Sequence, residues 1–236
     1  MKLVCRLSRS CSFQKFIPKR QLSFNRHSIR IDEDKVVPGL IGLNLIVFGC
    51  WASANDRVTR RFMQDNFTIS SAGVFRQYKL HTFFTSMFSH QDGFHLFGNM
   101  ITLYFFGSNA VKILGTSIFL RLYLAGGVFS GLCHVAWPYA RQFTGWTPIR
   151  RRHSLYNPAL GASGAINAIV AWSICMFPTS TIFIYFIPVP AFIAGLLFIG
   201  KDLYEIQQEQ SSVGNAAHIG GALLGASFFI LRRLRR

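Results

Sequence analysis

Long apolar runs separated by charged gaps restrict how this chain can fold more than any other feature of its sequence. Six runs stand out, at about 37–54, 82–106, 116–137, 163–177, 181–199 and 216–231. Most have the roughly 17 to 25 residues that cross about 30 Å of hydrocarbon as helix. A water-soluble helical core would carry its charge along one face of each helix, whereas here the charge collects between the runs. Half of the residues are hydrophobic and only 14% are charged. The sequence therefore predicts an all-α, polytopic membrane protein, a six-transmembrane-helix bundle forming one domain over residues 36–236.

Residues 1–35 are a different kind of chain. They carry Lys2, Arg6, Arg9, Lys15, Lys19, Arg20, Arg26 and Arg30 among several serines, with no acid before Asp32. They also lack the apolar centre of a secretory signal, which leaves a transit peptide, disordered or cleaved, with a basic disordered tail as the plainer alternative. The net charge of +16 marks import and contact with a membrane surface, and no nucleic-acid partner is expected. The five cysteines show no paired spacing, so they are read as packing residues.

Polar groups inside a span are costly unless they face protein or a wet cavity, so each one calls for an explanation. His95 and Asn99, in "HLFGNM", stand four apart on one helix face. They either staple neighbouring helices together or aim two hydrogen-bond donors at one point. Ser163, in "GASGA", opens an apolar run too short to span alone, so its start must lie below the membrane surface, surrounded by protein or a water-filled cavity. A helix start also presents free backbone N–H groups and partial positive charge, which together stabilise an oxyanion. Gly161 and Gly164 on either side allow close approach of other segments or of a substrate; the simpler reading is a helix cap with packing glycines.

His218 lies in "NAAHIGGALLGA", with Gly221 and Gly225 following on its face and Ala217 completing a small-residue groove. Such grooves let helix backbones come unusually near, and the natural partner is the start of the Ser163 helix. His218 would then meet Ser163, 55 positions earlier in the chain, as its general base, or else pair with a backbone carbonyl as a core histidine. The acids all fall in expected loops or span ends, which implies a Ser-His dyad with no carboxylate. No thiolate or carboxylate joins His95 and His218 within the spans, so neither a metal centre nor a cofactor is expected.

The three motifs in this order resemble the rhomboid family of intramembrane serine proteases, over about Val37 to Leu231. The segments "FTSMFSHQDGFHLFGNM" and "FIPVPAFIAGLLFIGKDLYE" look most like mitochondrial or other organellar members. The resemblance implies six helices, the fourth and sixth holding Ser163 as nucleophile and His218 as base. It also implies that His95 and Asn99 stabilise the oxyanion together with the Ser163 backbone N–H. The expected partners are the lipid bilayer and single-pass or otherwise membrane-anchored proteins, cut within or near their membrane helix. The expected location is the mitochondrial inner membrane, with a plastid or other organelle membrane as the alternative. A catalytically silent rhomboid-like protein that binds membrane helices is the rival function.

Overall fold

The structure is a computed structural model that describes residues 32–143, 155–184, 187–207 and 214–235. Most of the expected presequence therefore lies outside the described residues, as do Arg150 to Arg152 and Arg236. The first helix, α1 (Glu33–Ser53), opens on Asp32, whose carboxylate accepts from the Asp34 N–H at 3.4 Å. Three short helices follow: α2 (Arg57–Phe67), α3 (Ser71–Gln77) and α4 (Thr82–Thr85), the last continued by a 3₁₀ turn at Ser86–Phe88.

The second span departs from expectation. Asp92 caps a new helix by accepting the His95 N–H at 2.7 Å, so helix α5 starts at Gly93 rather than at Thr82. It runs through a π-helical turn at Leu103–Gly107 into α6 (Ser108–Leu114), forming one rod. Helix α7 (Thr116–Phe143) and helix α8 (Ser163–Met176) lie close to their expected positions. The fifth span is corrected more deeply. Residues expected to begin it form an antiparallel hairpin, β1 (Thr181–Ile184) with β2 (Ile187–Pro190). Pro188 and Pro190 lack the N–H that a helix ladder needs, so α9 (Ala191–Gln207) begins only after them. Its register moves towards the C-terminus and takes Lys201, Asp202 and Glu205 out of the expected loop into the helix. The last helix is α10 (Asn215–Leu234).

Among the described residues the architecture is thus six apolar rods, with one hairpin as the only sheet. Glu33–Ser53 and Thr116–Arg141 are long and apolar enough to span alone, while Ser163–Met176 is apolar but shorter. The main core joins α1, the α5–α6 rod, α7 and α8 through Val37, Leu103, Val111, Phe119, Tyr123 and Ile169.

Between α7, α8 and α10 the contacts are backbone-close. A Cβ placed on Gly221 would fall on the Gly164 carbonyl, one on Gly225 on the Ala168 carbonyl, and one on Gly164 on the Ser130 hydroxyl. On α7, a Cβ at Gly126 would stand 2.5 Å from the Ala168 Cβ. Lipid offers helices no hydrophobic drive to associate, so this shape match is itself the cohesive force.

Filling the contact should therefore open it. Gly225→Leu is expected to destabilise by at least the roughly 1 to 3 kcal/mol typical of overpacking, while Gly42→Ala, with nothing within 4 Å of the added carbon, should be neutral. Thermal unfolding midpoints in one detergent would check this, and equal midpoints for the two variants would contradict the close α8–α10 contact.

Candidate active site

The short helix α8 comes first. Its 14 residues rise about 21 Å, well short of the hydrocarbon thickness, so one of its ends must lie inside the membrane. At the Ser163 end the preceding chain is held on protein. Ile69 and Ala159 exchange backbone hydrogen bonds of 2.8 Å in an isolated antiparallel bridge. The Gly161 N–H donates to the Ser86 carbonyl at 2.9 Å, and the Ala162 N–H to His90 Nε2 at 3.4 Å. The backbone N–H groups of the segment that carries them are thus bonded to protein.

Gly161 has a φ of +127°, in the region that L side chains avoid, and a Cβ there would lie 2.8 Å from His95 Cε1. Both the bend and the neighbouring ring therefore require glycine. The bend turns the chain into α8, whose N-cap, Ala162, makes no side-chain capping bond. The first N–H groups of α8, those of Ser163 and Gly164, have no carbonyl within the helix to bond.

Helix α10 brings His218 to this point. Its Nε2 lies 2.9 Å from Ser163 Oγ, and both side chains are half-buried. The contact follows from packing, because His218 precedes Gly221 by one helical turn and shares its face. Ser163 and His218 line a cavity of about 980 Å³, together with His95, Gly161, Ser130 and His134.

His95 and Asn99 are treated differently by the fold. His95 is exposed and lines the cavity, whereas Asn99 is buried, does not line it, and donates from Nδ2 to the His95 carbonyl at 2.9 Å. The helix-packing residues are divided as well. Gly164, Gly221 and Gly225 sit in the helix contacts, and Gly161 is in the approach to α8.

The expectation that the acids all lie in loops or at span ends is corrected for Asp202, which stands in α9 beside the histidine. Asp202 Oδ1 lies 3.5 Å from His218 Nδ1, and its side chain is only 14% exposed. The shifted register of α9 is the physical reason, since it carries Asp202 into a helix beside α10. The pattern "KDLYE" after an apolar run could have signalled this, because Asp202 and Glu205 stand three apart on one helix face. Sequence reasoning also missed His90, which is fully buried with its ring 5.1 Å from that of His95, and His134, buried on α7. Its place just before the Asp92 cap is the one sequence signal for His90.

With this geometry in view, a family model described as a rhomboid domain matches residues 77–235. The chain is 38% identical to the RHOMBOID-like protein 12, mitochondrial, of Arabidopsis thaliana over 91% of its length. It is 30% identical to the Rhomboid protein 1, mitochondrial, of Saccharomyces cerevisiae and 32% identical to the human Presenilin-associated rhomboid-like protein, mitochondrial, each over 82% of its length. It spans 63%, 52% and 47% of those three proteins respectively. The domain match covers most of the chain, and the similarity continues on its N-terminal side: the chain belongs to the rhomboid family.

Proposed function

We propose that this protein is an intramembrane serine endopeptidase that cleaves membrane-anchored proteins within or near their membrane helix. The observation that carries the reading is the 2.9 Å contact between His218 Nε2 and Ser163 Oγ at the buried start of a helix. Ser163 Oγ attacks the scissile carbonyl carbon while its proton passes to His218 Nε2. The carbonyl oxygen becomes an oxyanion beside the Ser163 N–H, the start of α8 and the His95 ring. Collapse breaks the C–N bond, the leaving amine takes the proton from His218, and an acyl-enzyme remains on Ser163. Water, deprotonated by the same histidine, then releases the acid and restores the hydroxyl. No cofactor enters any of these steps.

Asn99 acts in this scheme one step back, holding the helical turn that carries His95. A cavity reaching Ser163 from an otherwise apolar bundle admits an unwound stretch of peptide better than an intact helix, which suits substrates whose membrane helix ends in small residues. The basic first residues and the word mitochondrial in the names of all three relatives support a place in the mitochondrial inner membrane. Residues 1–35 serve in this reading as the import sequence and residues 36–236 as the protease domain.

The test is cleavage, in proteoliposomes, of a single-span reporter whose helix carries an Ala-Gly pair near its end. Ser163→Ala and His218→Ala should leave no specific product. Cleavage by Ser163→Ala equal to wild type would remove the serine mechanism; no cleavage by well-folded wild type across several reporters would favour a silent helix-binding member.

In the same assay His95→Ala should lower the rate roughly a hundred- to thousandfold, the usual loss for one oxyanion donor. Asn99→Ala should lose less, and the reverse order would exchange their roles. Gly161→Ala should lose most activity, because the added methyl meets His95 Cε1 at 2.8 Å in a backbone region that alanine avoids. Retention of wild-type turnover by Gly161→Ala would mean that the bend before Ser163 does not position the site.

A further inference from the structure

We propose that Asp202 is a positioning residue for His218, so that the site works as a carboxylate-assisted serine-histidine pair whose third member is supplied by α9. The inference rests on the serine-histidine reading above and deepens it. The two ring nitrogens of His218 face opposite partners, with Nε2 2.9 Å from Ser163 Oγ and Nδ1 3.5 Å from Asp202 Oδ1. A carboxylate can only accept a hydrogen bond, so its presence at Nδ1 keeps the proton on that nitrogen. Nε2 is then left with its lone pair turned towards the serine hydroxyl, the tautomer that a general base requires. When the ring takes the serine proton, the same carboxylate stabilises the imidazolium.

The surroundings assign this role to Asp202 and not to its neighbour Glu205. Glu205 is engaged by Lys201 at 2.7 Å and by Asn215 Nδ2 at 2.9 Å. That second contact bridges α9 and α10 at the base of the pair and holds Asp202 in register with His218. Asn215 is almost completely buried, and the Asp202 and His218 side chains are 14% and 30% exposed, so the contact is partly shielded from water. The 3.5 Å separation is long for a hydrogen bond. Catalytic hydrogen bonds in free enzymes are often long and tighten once substrate binds.

The full chain in proteoliposomes would be compared as wild type, Asp202→Asn, Asp202→Glu and Ser163→Ala. Two readouts separate positioning from scaffolding: kcat and KM on the single-span reporter, and the rate at which a fluorophosphonate probe labels Ser163. In that labelling the Oγ–P bond forms, fluoride leaves and His218 takes the serine proton, so it reports activation of the hydroxyl without substrate binding. Asp202→Asn is expected to lower kcat and the labelling rate together by roughly ten- to hundredfold, less than the ~10⁴ of a short, fully buried triad contact. KM and the unfolding midpoint should stay within error, and Asp202→Glu should recover most of the loss.

Wild-type kcat and labelling in Asp202→Asn would overturn the proposal. So would a loss tracking a lowered unfolding midpoint and not recovered by Asp202→Glu, which would make Asp202 only a tie between helices. Ser163→Ala that is still labelled and still cleaves would instead bring down the serine mechanism itself. Ser163→Ala inactive beside a fully active Asp202→Asn would remove the carboxylate's role and leave that mechanism standing.

Discussion

The approach of α10 to α8 with no side chain between them is the constraint from which the rest of the site follows. Gly221 and Gly225 lie against the carbonyls of Gly164 and Ala168, and neither position has room for a Cβ. In lipid such a contact is held by dispersion and weak polar contacts, and both fall away steeply with distance. The histidine stands one turn from Gly221 on the same helix face, so its reach to Ser163 is set by that backbone distance and not by a flexible loop. A separation larger by one methyl group would turn a 2.9 Å hydrogen bond into a gap.

A second requirement is that the chain entering α8 be satisfied by protein. The Ile69–Ala159 bridge, the Gly161–Ser86 bond and the Ala162–His90 contact all come from the segment between α2 and α5. That segment is itself anchored, through Trp51 Nε1 donating to Ser89 Oγ at 2.7 Å and Ser71 Oγ donating to the Val135 carbonyl at 2.8 Å. The loops between the first two long rods are thus structural members of the site. Buried His90 belongs to the same framework, facing His95 with one edge and holding the Ala162 N–H with Nε2.

What could be read from the sequence was whatever depends on spacing within one helix. His95 with Asn99, and His218 with Gly221 and Gly225, keep fixed offsets at 3.6 residues per turn. The short run after Ser163 betrayed its depth by length alone. The errors lie where periodicity carries no information. The stretch from Thr181 to Pro190 is apolar throughout, and an apolar run cannot by its pattern be told apart as strand or helix; its two prolines were the available clue. The break before Gly93 was hidden similarly, because one aspartate cap outweighs the apolar residues around it. Asp202 was misplaced as a consequence, since a helix start ten residues late moves every later side chain to a new level.

Helix α9 shows why that late start matters. At its N-terminal end the Ala191 N–H donates to the Ser180 carbonyl at 2.8 Å and the Phe192 N–H to the Pro178 carbonyl at 3.0 Å, tying it to the turn that ends α8. At its C-terminal end Glu205 and Asp202 meet Asn215 and His218 on α10. Between these ends it exposes Leu196, Leu197, Phe198 and Ile199, residues suited to lipid. The helix is thus fastened at both ends by polar bonds. Were α9 to start at Thr181, in place of the hairpin, the same side chains would end more than two turns from α10's histidine, about 15 Å along the axis. The hairpin therefore sets the height at which the carboxylates stand, which is how two prolines distant from the chemistry come to decide what faces His218.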